Sequence, residues 1–398
     1  MPITSLAYEP SLRRSVRRAP RDFEKLEVAV ELYENGRSLE SIHQVLEHLF
    51  PEHEAADLAK APFVFTQGSS KVTVSVEGDH LLVTVPVVRL PSGGSAIAAM
   101  RYVLTMIAGS GQLHQPELRG EEIHIRFKDE LARIHPAKLI EVLRNIPLEA
   151  DRSDDWIIGQ FSAEPLERAQ VDDLTDEEAA RAEAFWQRHW DDVDELIVEC
   201  QRKRSVFFLN ELTSYALTRV SHTLPLTGYI GLRLSEAGST FNDNNVDPSK
   251  REAALVKCAR EMKAISGDEL RKSLGHATYA LDPRAEGTPG VLGEHLDAER
   301  DYGQMIERLR TGGKSLDAAL ALIGTYTFLV ARFSWPAVVE ASLVDGLTQS
   351  SGKPWREVVT LLLDHSKELI SNFVSDDEDD EDDDDEDEAG EGTEGDTE

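Results

Sequence analysis

Hydrophobic positions along the chain change period several times, and each change predicts a new element. Phe23, Leu26, Val30 and Tyr33 recur at three- and four-residue spacing, predicting a helix that Gly36 closes. Leu39, Ile42, Val45, Leu46 and Leu49 share one face of a second helix, with Ser38 as its expected N-cap and Pro51 as its stop. The period then becomes two. Phe63 and Phe65 lead into the turn Gly68-Ser69-Ser70, and Val72, Val74 and Val76 alternate with polar residues. After Glu77-Gly78-Asp79 the alternation resumes at Leu81, Val83, Val85 and Val87. Leu90-Pro91-Ser92-Gly93-Gly94 breaks the strand, and residues 95–108 predict an apolar helix carrying Ile97, Met100, Val103, Leu104 and Ile107. A second hairpin pairs Leu113 and its neighbours with Ile123, Ile125 and Phe127 across Arg119-Gly120-Glu121. A helix follows from Pro136 to Asn145.

Five strands arranged as hairpins predict an antiparallel α+β sheet with helices on one face. The order lacks β-α-β alternation, which argues against a doubly wound nucleotide-binding fold. Residues 162–174 are acidic and poorly periodic, so they predict a linker. Thr175-Asp176-Glu177-Glu178 is a capping box, and from there the pattern stays helical to about residue 372. Phe185, Trp186, His189, Trp190, Val193, Leu196, Ile197 and Cys200 form one apolar stripe. Further helices are expected over 255–265, 302–309, 316–333, 337–346 and 355–370, with a long turn region at 282–293.

The resulting domain plan is a flexible basic arm (1–21), an α+β domain (22–160), a linker (161–174), an α-helical domain (175–374) and a disordered acidic tail (375–398). The arm contains Arg13, Arg14, Arg17, Arg18 and Arg21. The tail opens with thirteen consecutive acidic residues, Asp376 to Glu388; such a run repels itself and has nothing apolar to bury.

Within the first domain, Gly111-Gln112-Leu113, the Arg119-Gly120-Glu121-Glu122-Ile123 hairpin, Ile134-His135-Pro136-Ala137-Lys138-Leu139 and Glu149-Ala150-Asp151 resemble the second half of the YbjN-like family. That family has the type III secretion chaperone-like fold, and the resemblance covers residues 38–158. It implies a small, often dimeric, non-enzymatic domain that binds protein segments. It also implies that the helix 95–108 lies at the dimer interface, with Met100, Val103 and Ile107 as contact residues. The alternative is that these three are ordinary core.

Charge sharpens the picture. The chain of 398 residues has a formal net charge of −32, and removing the tail's 17 acidic residues leaves −15. An acidic body argues against a general nucleic-acid surface. The tail has three possible roles: solubility, contact with a basic protein, or docking on the arginine arm, and the last gives Arg13, Arg14, Arg17 and Arg18 a binding role. The two cysteines, Cys200 and Cys258, fall in helical patterns and read as buried free thiols of a reducing cytoplasm. No run of 18 apolar residues predicts a membrane span.

Candidate chemistry is sparse. Twelve histidines are scattered without a metal-ligand spacing, although His114 and His124 lie in paired strands and could approach each other. Asp243-Asn244-Asn245-Val246-Asp247 begins like a calcium loop but has Pro248 at the sixth position and Ala254 at the twelfth. It reads as a turn with Asp247 or Ser249 capping the next helix. Gly313-Lys314-Ser315 ends like a phosphate loop, yet Arg308 stands where the first glycine belongs and a helix precedes it. A helix–helix turn with Ser315 as N-cap fits better. The sequence therefore predicts no metal and no cofactor. It predicts a protein-binding chaperone, adaptor or regulatory subunit that can form a homodimer and binds neither nucleic acid nor membrane. The alternatives are a structural component of a larger assembly and an enzyme with an unrecognised site in the helical half.

Overall fold

The structure, a computed structural model, describes residues 3–14, 16, 23–106, 113–167, 171–241, 243 and 245–373. Ile107, Arg17, Arg18, Arg21 and the acidic tail lie outside the described residues. The chain is mixed α+β, 62% helical with one seven-stranded antiparallel sheet. It divides into two compact units: Glu9–Ala285, and Glu286 onward together with Thr4–Tyr8.

The first unit begins with helices α1 (Phe23–Glu34), α2 (Ser38–Leu49) and α3 (Ala55–Leu58). Strands β1 (Phe63–Gly68), β2 (Ser70–Glu77) and β3 (His80–Arg89) follow, then α4 (Gly94–Met106) and the hairpin β4 (Gln115–Arg119) and β5 (Glu122–Glu130). Next come α5 (Pro136–Phe161), β6 (Glu164–Pro165), α6 (Asp176–Lys203), α7 (Val206–Thr223), α8 (Gly228–Phe241), α9 (Pro248–Lys263), α10 (Gly267–Lys272) and β7 (Thr278–Tyr279). The sheet runs β4-β5-β3-β2-β1-β7, with β6 pairing the end of β3.

The period-two residues do what their alternation requires. Val72, Val74, Leu81, Val83, Val85, Ile123, Ile125 and Phe127 are all buried, on the face covered by Leu139, Val142, Leu143 and Ile146 of α5 and Ile42, Val45 and Leu46 of α2. Pro86 sits inside β3 at the position where the register with β5 shifts. There β2 has already stopped pairing, so the missing N–H breaks no regular ladder.

Helix α5 runs well past Asn145, although Pro147 lacks the N–H of a regular turn. Tertiary burial overrides that local stop: Ile146, Ala150 and Ile157 are buried beneath the sheet. Asp151 also accepts hydrogen bonds from Ser69 N (2.6 Å) and Ser69 Oγ (2.5 Å) in the β1–β2 turn. Gly68 stands in that turn at φ +64°, and a Cβ there would lie 2.8 Å from the Asp151 carboxylate.

Three sequence expectations differ from the structure. The proposed linker does not separate units, because Ala163 and Leu166 are buried, β6 extends the sheet, and Asp172 forms a backbone bridge with His276. Helices α6–α10 belong to the same unit as the sheet. The arm is also not free over its described residues. Leu12 is buried in the first unit, and Leu6 is buried in the second. Finally, the capping residues of two helices shift: α2 begins at Ser38 with Arg37 as its N-cap, without a side-chain cap bond. The Thr175 capping box forms as expected, and Asp247 caps α9 through Ser249 N at 2.8 Å.

The second unit contains α11 (Pro289–Leu296), α12 (Asp301–Thr311), α13 (Ser315–Arg332), α14 (Ala337–Ser350) and α15 (Trp355–Phe373). Lys314, not Ser315, occupies the N-cap of α13. Helix α13 is the one described helix long and apolar enough to cross a membrane, and 78% of its apolar window is buried within the protein. Gly352 N donates to Leu6 O (2.8 Å), and Tyr8 N donates to Ser351 Oγ (2.9 Å), fixing residues 4–8 against the α14–α15 turn.

Candidate functional site

Helix α4 is apolar around most of its circumference, and the sheet domain can bury only one side of it. Ala99 and Val103 are buried, and Ala96, Met100 and Tyr102 pack in part against the same core. The opposite side carries Ile97 (53% exposed) and Leu104 (62% exposed), seven residues apart, with exposed Arg101 between them. Seven residues is two turns, so these three form one outward stripe. Of the contact residues expected from sequence, Val103 is core, Met100 is mainly core-packed, and Ile107 lies outside the described residues. The exposed pair Ile97 and Leu104 belonged to the same predicted helix. Periodicity finds such a helix but does not say which apolar side meets the sheet.

The sheet offers an edge as a second surface. Strand β4 ends the strand order and exposes Leu118 to 52%. A two-residue loop joins Arg119 to Glu122, which makes those two a hydrogen-bonded pair. Alternation then directs Pro116 and Leu118 away from β5, so Pro116 places a nitrogen without hydrogen on the open edge. Along that edge β4 offers one outward N–H, at Leu118, and Pro116 blunts it against strand addition.

The described arginines of the arm are engaged inside the first unit. Arg13 Nη1 donates to Ser221 O (3.1 Å) at the C-terminus of α7. Arg14 Nη1 pairs with Asp172 Oδ2 (2.8 Å). Neither is available to the acidic tail without breaking these contacts. His114 and His124 do not approach. The register sets His124 opposite Glu117, which puts it on the sheet face opposite the core, whereas His114 has the parity of the core face. His114 is buried, and desolvation holds its pKa below the usual histidine value.

A polar set lies between α6 and α7. His189 is buried with a ring nitrogen, Nε2, 2.9 Å from Ala216 O, and burial, aided by nearby Arg219, lowers its pKa to about 3. Arg219 bonds Tyr215 Oη and lies over the rings of Phe185 and Tyr215. Desolvation raises Asp192 to about 6 despite Arg219 and Arg188. His222 is lowered to about 3 by burial and by Arg13, Arg284 and Arg219. Both cysteines are buried free thiols, and desolvation pushes each to about 11, which disfavours the nucleophilic thiolate.

In the second unit, Tyr326 Oη lies 2.9 Å from His365 Nδ1, and His365 Nε2 lies 3.3 Å from Ser342 Oγ. The series resembles a nucleophile relay. However, Ser342 is interior to α14, where neighbouring N–H groups are spent in the helix and cannot stabilise an oxyanion. Its evident effect is to tie α13, α14 and α15 together. Among the described residues no three His, Cys, Asp or Glu side chains gather as metal ligands. No family model matches the chain, and no curated protein matches it.

Proposed function

We propose that this is a non-enzymatic, cytoplasmic interaction protein, a chaperone, adaptor or regulatory subunit, that captures a partner segment on the outer face of α4. The exposure of two large aliphatic side chains, Ile97 and Leu104, on the side of α4 away from its core-packed Ala99 and Val103 carries this reading. The resemblance of residues 38–158 to the secretion chaperone-like fold agrees with it. The blunted β4 edge favours side-chain docking over strand addition. Covering the exposed parts of two aliphatic side chains is worth about 2 kcal/mol. That is too little for stable binding alone, so α4 serves as the anchor of a larger contact.

Affinity purification with mass spectrometry tests the proposal. The native chain is expected to enrich a defined partner that the Ile97→Glu/Leu104→Glu chain does not. If both chains enrich the same proteins, or neither enriches any, the proposal fails.

A further inference from the structure

Residues 9–13 lie on the first unit as a peptide lies in a receptor. The Glu9 carboxylate is held by two arginines two turns apart on α6. Arg181 Nη2 reaches Oε1 at 3.2 Å, and Arg188 Nη2 reaches Oε2 at 3.0 Å. The last turn of a helix leaves carbonyls without intrahelical donors. In α7, Leu224 N satisfies Val220 O, and the next three carbonyls are filled by residues 11–13. Arg13 Nη1 donates to Ser221 O (3.1 Å), Ser11 Oγ to His222 O (2.7 Å) and Leu12 N to Thr223 O (2.8 Å). The Arg13 cation also suits the negative end of the α7 dipole. Leu12 is the one fully buried side chain of the segment, at 7% exposure. The groups on α6 and α7 thus meet different chemistries, two cations for a carboxylate and three carbonyls for three donors, and the leucine between them is buried.

The hold is most accessible to solvent at Glu9. Arg181 and Arg188 are each 42% exposed, so the Glu9 pairs are open to water and salt. Pro10 favours an extended chain in the residue before it, which suits a strand-like ligand.

We infer that this α6–α7 surface is a receptor for an extended segment of the pattern carboxylate–x–Ser–Leu–Arg. Residues 9–13 occupy it in cis, and a partner protein bearing the same pattern binds by displacing them. This site is separate from the α4 face and does not depend on it.

The test uses the full chain and a fluorescent peptide with the sequence of residues 8–16. A tethered competitor acts at an effective concentration of about millimolar, so the native chain should bind the peptide weakly. The Glu9→Gln/Leu12→Ser chain is expected to bind it at least tenfold more tightly by anisotropy. A peptide carrying the same two substitutions should not bind. Should the double variant fail to fold, the Glu9→Gln chain loses only the two partly exposed Glu9–arginine pairs and should still gain about threefold. No gain in affinity over the native chain in the folded variants, or equal binding of the substituted peptide, overturns the inference.

Discussion

Mild acid should destabilise the first unit, because it buries two histidines in neutral form. His189 and His222 are each lowered from 6.5 to about 3. A histidine lowered in the folded state contributes stability that is present above pH 6.5 and is lost as pH falls below it. At pH 5 the unfolded chain protonates each ring, and the cost is about 2 kcal/mol per residue, or about 4 kcal/mol together. This figure depends on the unfolded value and not on how far below 5 the folded one lies. Asp192 acts in the opposite sense. Raised from 3.8 to about 6, it destabilises the folded state at neutral pH and returns that stability as pH falls through 6. Between pH 8 and pH 5 it recovers about 1.4 kcal/mol. The histidines win, leaving a net loss of about 3 kcal/mol. Urea titrations followed by tryptophan fluorescence at pH 8, 7, 6 and 5 measure this directly. The His222→Gln chain should lose about 2 kcal/mol less over the same range. A flat pH profile, or an unchanged slope in that variant, would refute the reasoning.

Three glycines give substitutions of opposite sign. Gly159→Ala in α5 meets open space and should raise the unfolding midpoint through helix propensity, by up to about 1 kcal/mol. Gly346→Ala in α14 should lower it, because its Cβ would stand 2.9 Å from Tyr326 Cε1. Overpacking of about 1–3 kcal/mol outweighs the propensity gain there. Gly68→Ala should cost about 2 kcal/mol or more, from a left-handed backbone and collision with Asp151. In an Asp151→Ala background the extra cost of Gly68→Ala should shrink, and strict additivity in that double-mutant cycle would contradict the contact.

What could be read from the sequence was local. Alternation at Val72–Val87 and Ile123–Phe127 placed the sheet, and the Thr175 capping box placed the start of α6. What escaped depends on partners far along the chain. Gln67 exchanges two hydrogen bonds with the backbone of Leu281, at 2.7 and 2.9 Å, across 214 positions, and this pins β7 beside β1. Residues 9–14 carry Pro10 and three charged residues, which read as an unfolded arm. Their order comes from the carbonyls of α7 and the arginines of α6. The interaction face was half legible for the same reason. Met100, Val103, Ile97 and Leu104 are all apolar at helical spacing, and only packing against the sheet decides which remain exposed.

Site-specific photo-crosslinking in the native cell tests the proposed function most directly. Leu104 and Val198 are both 62% exposed, and Val198 lies on a different helix, α6. A photoreactive phenylalanine at position 104 is expected to give a discrete adduct with a partner protein, while the same group at position 198 gives none. No adduct at 104, or the same adduct from both positions, would contradict the assignment of α4 as the docking face.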